Sequence, residues 1–304
     1  MNQPSSTILV VGATGRFAGL VVPELARRGA RVRALVRDAA QGAHATLLGV
    51  SQVAIGDLRE RASLDRALAG ADGVFHIGPA FAPDEAAMGV SMVEAAVRAG
   101  VRKFAFSSVI QPTNTWLKNH AAKIPVEDAL YSSPLEYTIL QPANFMQNLH
   151  AAWPSVLATG ILAEPFPKTA RIARVDYRDV AEVAAIALTE DRLAYATLEL
   201  CAEGRHNREE IALMISEALA RPITAGTIDF HEWAKPIRAK YTGHQLEMLA
   251  RVHAHYADVG LGGNSLALRA ALQREPRSLQ NFIRELALAS NQGRTDTLPL
   301  PLQN

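Results

Sequence analysis

The sequence predicts an α/β protein built on a doubly wound parallel sheet. In the first half of the chain, short apolar segments typical of strands alternate with segments of helical periodicity. The first strand runs directly into the glycine-rich turn VGATGRFAGL, and a helical segment follows that turn. Strands that alternate with helices form right-handed βαβ units, whose strands lie parallel in one sheet.

The first half is predicted to contain six strands and three helices. The strands are Thr7–Val11, Val32–Val36, Gln52–Ile55, Gly73–Ile77, Arg102–Phe106 and Glu136–Leu140. The helices are Phe17–Arg28, Ser63–Ala69 and Asp84–Ala99. A glycine follows each helix, as expected where a helix ends in a left-handed residue.

The pattern loosens in the second half of the chain. Residues 1–150 are predicted to form one domain, and residues 151–304 a smaller, mostly helical region on the substrate side, at the carboxyl edge of the sheet. The segment 176–200, with a helix over Val175–Leu188, is expected to return to the sheet. Later helices are predicted over Arg208–Leu219, Trp233–His255, Leu266–Leu272 and Ser278–Leu288, before a tail, QGRTDTLPLPLQN, expected to be frayed.

Composition excludes several classes of function. The chain is 49% hydrophobic and 20% charged with a net charge of +1, which gives no electrostatic reason to expect nucleic acid or membrane as partner. The single cysteine, Cys201, excludes an internal disulfide and a thiolate metal cluster, and we expect no metal. Without a signal segment or an apolar run of about 18 residues, a cytoplasmic monomer or homodimer is expected.

The glycine turn has the features of a dinucleotide-binding fingerprint. Gly12 and Gly15 occupy positions where a tight turn and close approach to a pyrophosphate require residues without a Cβ. Ala18 stands at the third small position, and the helix beginning near Arg16 would present N–H groups to the phosphates. The alternative is a tight turn that binds no ligand.

The end of the second strand indicates which dinucleotide binds. A carboxylate there would bind the ribose 2′-hydroxyl of NAD(H), but RVRALVRD places Arg37 at this point. Arginine can pair bidentately with a 2′-phosphate, which favours NADP(H). Arg16 could reach the same phosphate, whereas the neighbouring Asp38 keeps NAD(H) open, and Arg37 could instead be a solvated surface residue.

Two later strand ends add candidate contacts. Asp57 follows the third strand and could accept a hydrogen bond from the adenine amino group, or could be a turn or cap aspartate. The fourth strand ends in His76–Pro79, where the backbone at Gly78 could run close beside the cofactor.

The chain resembles the NmrA-like family of atypical short-chain dehydrogenases/reductases over nearly its whole length. The segments that carry the resemblance, in order, are GATGRFAG, ALVRD, GDL, GVFHIGP, KFAFSSV, AAKIPVEDAL, YTILQPANFMQN, DYRDVAEVAA and REPRSLQNFIREL. The resemblance implies a Rossmann domain that binds NAD(P)(H) and a C-terminal region that shapes the substrate cleft. Members include flavin-independent reductases of quinones, triphenylmethane dyes and phenylpropanoids, and dinucleotide-binding redox sensors or transcriptional co-regulators.

The same resemblance implies roles for individual residues. The pyrophosphate and adenosine end would be lined by Gly12, Thr14, Gly15, Arg16, Phe17 and Arg37, and adenine would meet Asp57 and Leu58. Gly78 and Pro79 would flank the ribose, and Ser107 and Ser108 would lie near the nicotinamide. Lys123 would bind the nicotinamide ribose hydroxyls, and Pro142, Asn144 and Phe145 would pack around the ring.

The catalytic set of typical short-chain dehydrogenases is incomplete in this chain. Those enzymes use Tyr-x-x-x-Lys, in which the lysine lowers the tyrosine pKa so that the phenol can shuttle a proton. Lys123 is present, but Asn119 stands where the tyrosine would be. Lys123, or His120 next to Asn119, could donate a proton, although His120 could equally be a surface residue. Pro125 predicts either a helix that begins nearby or a helix that bends there.

These observations favour a reductase that uses NADPH without flavin. Quinones and azo or triphenylmethane dyes accept hydride readily, so proximity and orientation could supply most of the catalysis. The alternative is an NADP(H)-sensing regulatory protein with little or no turnover. A sugar-nucleotide epimerase or dehydratase is disfavoured by the missing tyrosine.

Overall fold

The structure is a computed structural model and describes residues 5–291. The tail expected to be frayed, residues 292–304, lies outside the described residues. No helix in the described range is both long enough and apolar enough to cross a membrane.

The elements follow one another along the chain as numbered here. The first group is β1 (Thr7–Val11), α1 (Val21–Arg27), β2 (Arg31–Val36), α2 (Ala39–Leu47), β3 (Gln52–Ile55), α3 (Arg61–Leu68), β4 (Gly73–Ile77), α4 (Glu85–Arg98) and β5 (Lys103–Ser107). The second is α5 (Lys118–Ala121), α6 (Ile124–Tyr131), β6 (Glu136–Pro142), β7 (Asn144–Phe145), α7 (Leu149–Thr159), β8 (Ile161–Glu164), β9 (Ile172–Val175), α8 (Tyr177–Thr189) and β10 (Ala196–Leu200). The third is β11 (Arg205–His206), α9 (Arg208–Leu219), β12 (Thr224–Thr227), α10 (Phe230–Ala234), α11 (Gly243–Asp258), α12 (Leu266–Leu272) and α13 (Leu279–Asn291).

The chain divides into two compact units. Of the described residues, the first unit contains 5–141 and 178–198, and the second contains 142–177 and 199–291. The segment 178–198, which includes most of α8, therefore belongs with the N-terminal part of the chain.

The first unit confirms the predicted doubly wound parallel sheet. Seven strands lie in the order β10-β6-β5-β4-β1-β2-β3. β1 pairs in parallel with both β2 and β4, and the pairs β2–β3, β4–β5 and β5–β6 are parallel too. Because the strand order reverses beside β1, a crevice is expected at the carboxyl ends of β1 and β4.

A continuous apolar core holds the helices against this sheet. Leu9 and Phe104 contribute from the strands, Leu64 from α3, Met92 from α4 and Leu130 from α6, all at most 1% exposed. The close approach of α4 and α6 depends on Gly89, where a Cβ would come within 2.4 Å of Val126 Cγ2. The core thus fixes the helices whose ends carry the candidate site.

The second unit has its own core and two small sheets. One sheet has the order β11-β9-β7, and in the other β12 pairs in parallel with β8. Trp153 from α7, Ile215 from α9 and Ile283 from α13 are buried together, and the Trp153 indole N–H donates to Ser290 Oγ at 2.6 Å. Trp153 is therefore a core residue of this unit.

One helix of the structure was not predicted, and one predicted helix is interrupted. The segment Ala39–Leu47 was not predicted, yet Asp38 caps it as α2, and it lies close to β3 at Gly42, where a Cβ would come within 3.0 Å of Val53 Cγ1. The single helix predicted over Trp233–His255 is interrupted, because a short 3-10 turn containing Pro236 follows α10. Thr242 then begins α11 with a capping box to Gln245.

Candidate functional site

Five of the predicted cofactor contacts follow strands of the parallel sheet. Gly12, Arg37, Gly78 and Ser108 come directly after β1, β2, β4 and β5, and Asp57 comes two residues after β3. Parallel strands have their carboxyl ends at one edge of a sheet, so these residues lie along the same edge of the first unit.

The glycine turn adopts a tight conformation that requires glycine at its first position. Gly12 has a φ of 75°, and the Gly15 N–H donates to the Gly12 carbonyl at 2.7 Å. The chain then enters a 3-10 turn at Ala18, which is 1% exposed and leads into α1. The sequence prediction of a compact strand–turn–helix with a small residue at position 18 matches this geometry.

The end of β2 is closed by contacts that leave the Arg37 side chain exposed. The Asp38 carboxylate accepts the Gln41 N–H at 2.8 Å and caps α2, while Gln41 Oε1 accepts the Arg37 N–H at 3.0 Å. One carboxylate oxygen of Asp38 therefore caps α2. This makes Asp38 less suited to bind a ribose hydroxyl. Arg37 itself is exposed directly after the strand.

Asp57 has a local structural role. Its N–H donates to Ser63 Oγ at 2.9 Å, and its carboxylate accepts the Arg59 N–H at 2.8 Å. The neighbouring Leu58 is partly buried and packs against the apolar core of the first unit. The alternative of a turn aspartate therefore describes the geometry, and the adenine contact stays a prediction.

Lys123 is the charged centre of a buried cluster. It is 8% exposed, and its Nζ donates to Glu85 Oε1 on the first residue of α4, itself 3% exposed. Nζ also lies 5.9 Å from the centre of the Phe106 ring. Lys123 immediately precedes α6, and Pro125 lies in the first turn of that helix. Of the two predicted alternatives, the helix begins near Pro125 rather than bending there.

His76 is buried in the same cluster as a neutral ring. Its imidazole stacks on Phe106 with ring centres 5.8 Å apart. Burial lowers the pKa of His76 to about 3, and the positive charge of Lys123 acts in the same direction. At neutral pH the His76 ring is therefore uncharged and can take part only in hydrogen bonding.

A second buried carboxylate lies beside the serines at the end of β5. Ser108 Oγ donates to Glu127 Oε1 at 2.5 Å, and Gln141 Nε2 donates to the same oxygen at 3.0 Å. Ser107 is buried as well, at 1% exposure. The Ser108 hydroxyl is thus held in one orientation by Glu127.

His120 is not the surface residue that the sequence allowed as an alternative. It is 4% exposed, and its Nδ1 lies 3.3 Å from the Gln111 carbonyl. Asn119, at the position of the missing tyrosine, is half-buried on the same short helix α5.

The predicted nicotinamide contacts beyond β6 lie in the second unit. Asn144 Nδ2 donates to the Tyr256 hydroxyl at 3.3 Å. The Phe145 ring meets Tyr177 edge to face, with centres 4.8 Å apart. Pro142 is buried at the end of β6.

An aromatic cluster in the second unit surrounds His253. Its ring lies 4.5 Å from that of Trp233, with Phe166 and Phe230 within 5.8 Å. Burial lowers the pKa of His253 to about 4, with Arg208 acting in the same direction. Phe166 and Trp233 thus belong to one packed cluster.

This lowered pKa predicts a loss of stability in acid. Below its ordinary pKa of 6.5, His253 binds a proton in the unfolded chain but not in the folded one until about pH 4. The free energy of unfolding should therefore decrease as the pH is lowered from 6.5 to about 4. The expected decrease is about 1.4 kcal/mol per pH unit for this one histidine. His253→Phe should flatten the slope relative to the wild type in urea unfolding. An unchanged slope would show that His253 titrates freely in the folded protein.

Sequence reasoning did not single out the two buried carboxylates, Glu85 and Glu127. An acid in the first turn of a helix is ordinarily explained by the helix dipole, and both occupy that position. Their partners are distant in sequence, so no local pattern could have identified them.

The first unit fits a dinucleotide. It offers a tight glycine turn, an exposed arginine at the end of β2, and a buried ammonium with a carboxylate oxygen, Glu85 Oε2, that has no hydrogen-bond partner within residues 5–291. Among the same residues, no group of three metal-ligating side chains lies together.

Comparison with known proteins also finds relatives named as NAD(P)H-dependent enzymes. The model of the NmrA-like family matches residues 4–283. The NAD(P)H azoreductase of Xenophilus azovorans is 33% identical over 223 residues, which are 71% of this chain and 75% of that protein. Quinone oxidoreductase 2 of Escherichia coli is 23% identical over 289 residues, covering 93% of this chain and all of that protein.

A solved structure shows the same fold. The triphenylmethane reductase of Citrobacter sp., determined as a complex with NADP(H), superposes with a TM-score of 0.79 at 21% identity. The match covers 92% of this chain and 99% of that one.

Proposed function

The chain belongs to the NmrA-like family and is an NAD(P)H-dependent oxidoreductase, and we propose that it reduces a quinone-like or other conjugated electrophile without flavin. The acceptor would be a quinone, an azo dye or a triphenylmethane dye. The names of its relatives support this substrate class, since they include an azoreductase and a quinone oxidoreductase.

The cofactor is NADP(H), with NAD(H) as the alternative. A solved relative contains NADP(H). In this chain the exposed Arg37 guanidinium is suited to pair with a 2′-phosphate, while Asp38 is engaged as the cap of α2. The turn from Gly12 to Phe17 would hold the pyrophosphate at the start of the helical segment.

The proposal rests mainly on one observation: Lys123 is buried, and Asn119 rather than a tyrosine stands four residues before it. When bound, the cofactor supplies a hydride. Lys123 and Ser108 are fixed by Glu85 and Glu127, so they can orient polar groups without reorganisation when the reaction occurs. Asn119 cannot act as a phenolic acid, which fits acceptors that need little help with protonation.

Lys123 and His120 are the proposed sources of a proton. A cationic triphenylmethane dye becomes neutral on gaining hydride and needs no proton, whereas a quinone gains hydride and then a proton on oxygen. Either side chain is held at a defined place, His120 Nδ1 near the Gln111 carbonyl and Lys123 Nζ on Glu85. Their contribution should therefore be greater with quinones than with cationic dyes.

A steady-state assay tests the proposal. Purified protein without flavin should oxidise NADPH in the presence of at least one quinone, azo dye, triphenylmethane dye or enone. The competing function, a regulatory protein that senses NADP(H), would bind NADPH tightly and turn over none of them. A preference for the reduced or oxidised cofactor together with a recoverable protein partner would support that second function.

A further inference from the structure

Glu85 holds an unusual position for a carboxylate. Its side chain is 3% exposed, and one oxygen, Oε1, accepts a hydrogen bond from the buried Lys123 ammonium. Removing two charges from water is costly for each ion, and their attraction offsets this cost only when the remaining hydrogen-bonding capacity is also satisfied.

That capacity is not satisfied within the protein. Glu85 Oε2 is buried and accepts no hydrogen bond from any residue in the range 5–291. A buried carboxylate oxygen without a donor is destabilising, and native proteins keep such an atom where a ligand or an ordered water supplies the donor.

Glu85 also lies beside the candidate cofactor crevice. A Cβ on Gly78, directly after β4, would come within 2.9 Å of Glu85 Oε1 and 3.0 Å of its Cγ. The backbone at the carboxyl end of β4 therefore runs against this side chain. The absence of a side chain at position 78 leaves room for Glu85 at the sheet edge.

The paired groups are complementary to a vicinal diol. An ammonium only donates and a carboxylate only accepts, so one hydroxyl can accept from Lys123 while its neighbour donates to Glu85. Such charge-assisted hydrogen bonds are among the stronger ones in proteins.

We propose that Glu85 is a binding residue for the nicotinamide ribose: Oε1 positions Lys123, and Oε2 accepts a hydrogen bond from a ribose hydroxyl. The inference rests on the proposed dinucleotide function. It assigns recognition of the nicotinamide half to an acid on α4 as well as to the lysine before α6.

Ligands that contain only one half of the dinucleotide distinguish a binding role of Glu85 from a purely structural one. Binding of NADPH, of reduced nicotinamide mononucleotide and of 2′,5′-ADP is measured by equilibrium titration of wild type and Glu85→Gln. The dissociation constants for NADPH and the mononucleotide should rise about tenfold or more in the variant, the loss expected for one hydrogen bond to a charged group. The constant for 2′,5′-ADP, which lacks that ribose, should stay within about twofold of the wild type.

Two further variants serve as controls. Glu136→Gln removes the partner 3.0 Å from the buried Lys103 Nζ, at the amino end of β5, and should leave all three constants unchanged. Glu85→Asp keeps the charge but withdraws the carboxylate. If the Gln variant does not fold, this variant should weaken the binding of NADPH and of the mononucleotide and leave that of 2′,5′-ADP unchanged. Thermal melting confirms that each variant is folded.

Two outcomes would overturn the inference. Equal weakening of NADPH and 2′,5′-ADP would make Glu85 a purely structural residue, and unchanged constants would show that no ribose hydroxyl meets it. A wild-type protein that binds none of the three ligands would instead refute the dinucleotide function itself, and this inference with it.

Discussion

Lys123→Met should destabilise the protein by about 3–5 kcal/mol and should abolish measurable NADPH binding. The substitution removes the partner of Glu85 and leaves a buried carboxylate uncompensated. Urea unfolding measures the first effect, and equilibrium titration with NADPH measures the second.

A double variant separates these two effects. Lys123→Met combined with Glu85→Leu replaces the buried ion pair by apolar groups, which is often neutral for stability. We expect the double variant to unfold at nearly the wild-type urea concentration and still to bind no NADPH. If the single variant were as stable as the wild type, the pair would not be buried in solution. Recovery of NADPH binding in the double variant would show that neither side chain contacts the cofactor.

Arg37→Ala should shift cofactor preference without affecting stability. The side chain is exposed, and its proposed partner is the 2′-phosphate of NADPH, which NADH lacks. Loss of a charge-assisted pair of about 1.5–3 kcal/mol raises the dissociation constant for NADPH by roughly 10- to 100-fold, and the constant for NADH should stay nearly unchanged.

An exposed arginine elsewhere on the first unit provides the control. Arg61→Ala, at the start of α3, removes the same charge from a helix surface and should leave both constants unchanged. Equal losses of NADPH and NADH in Arg37→Ala would contradict phosphate recognition and would indicate a general contact with the adenosine half.

The elements that could be predicted are those whose signals are local. Thr7–Val11, Gln52–Ile55 and Gly73–Ile77 are strands with the predicted bounds, because each is a short apolar run ended by a turn or a polar residue. α2 could not be predicted in this way, since its segment is poor in large apolar side chains and contains Gly42. That helix is stabilised by its cap and by tertiary packing on β3.

The same distinction applies to the site. Gly12 and Arg37 follow strands, so their place at the sheet edge could be deduced from the chain alone. The Glu85–Lys123 pair joins residues 38 positions apart through the packing of α4 against the start of α6. Such a pair is determined by tertiary structure, and no spacing rule connects its members.

Oxidation of NADPH by the flavin-free protein decides whether the chain transfers hydride to a conjugated acceptor. Loss of the reduced nicotinamide absorbance is followed with a quinone and with a cationic triphenylmethane dye, and each rate is compared with that of Lys123→Met/Glu85→Leu. The proposed function predicts sustained turnover by the wild type with at least one acceptor and none by the double variant. Tight NADPH binding by the wild type with no turnover of any acceptor would contradict it.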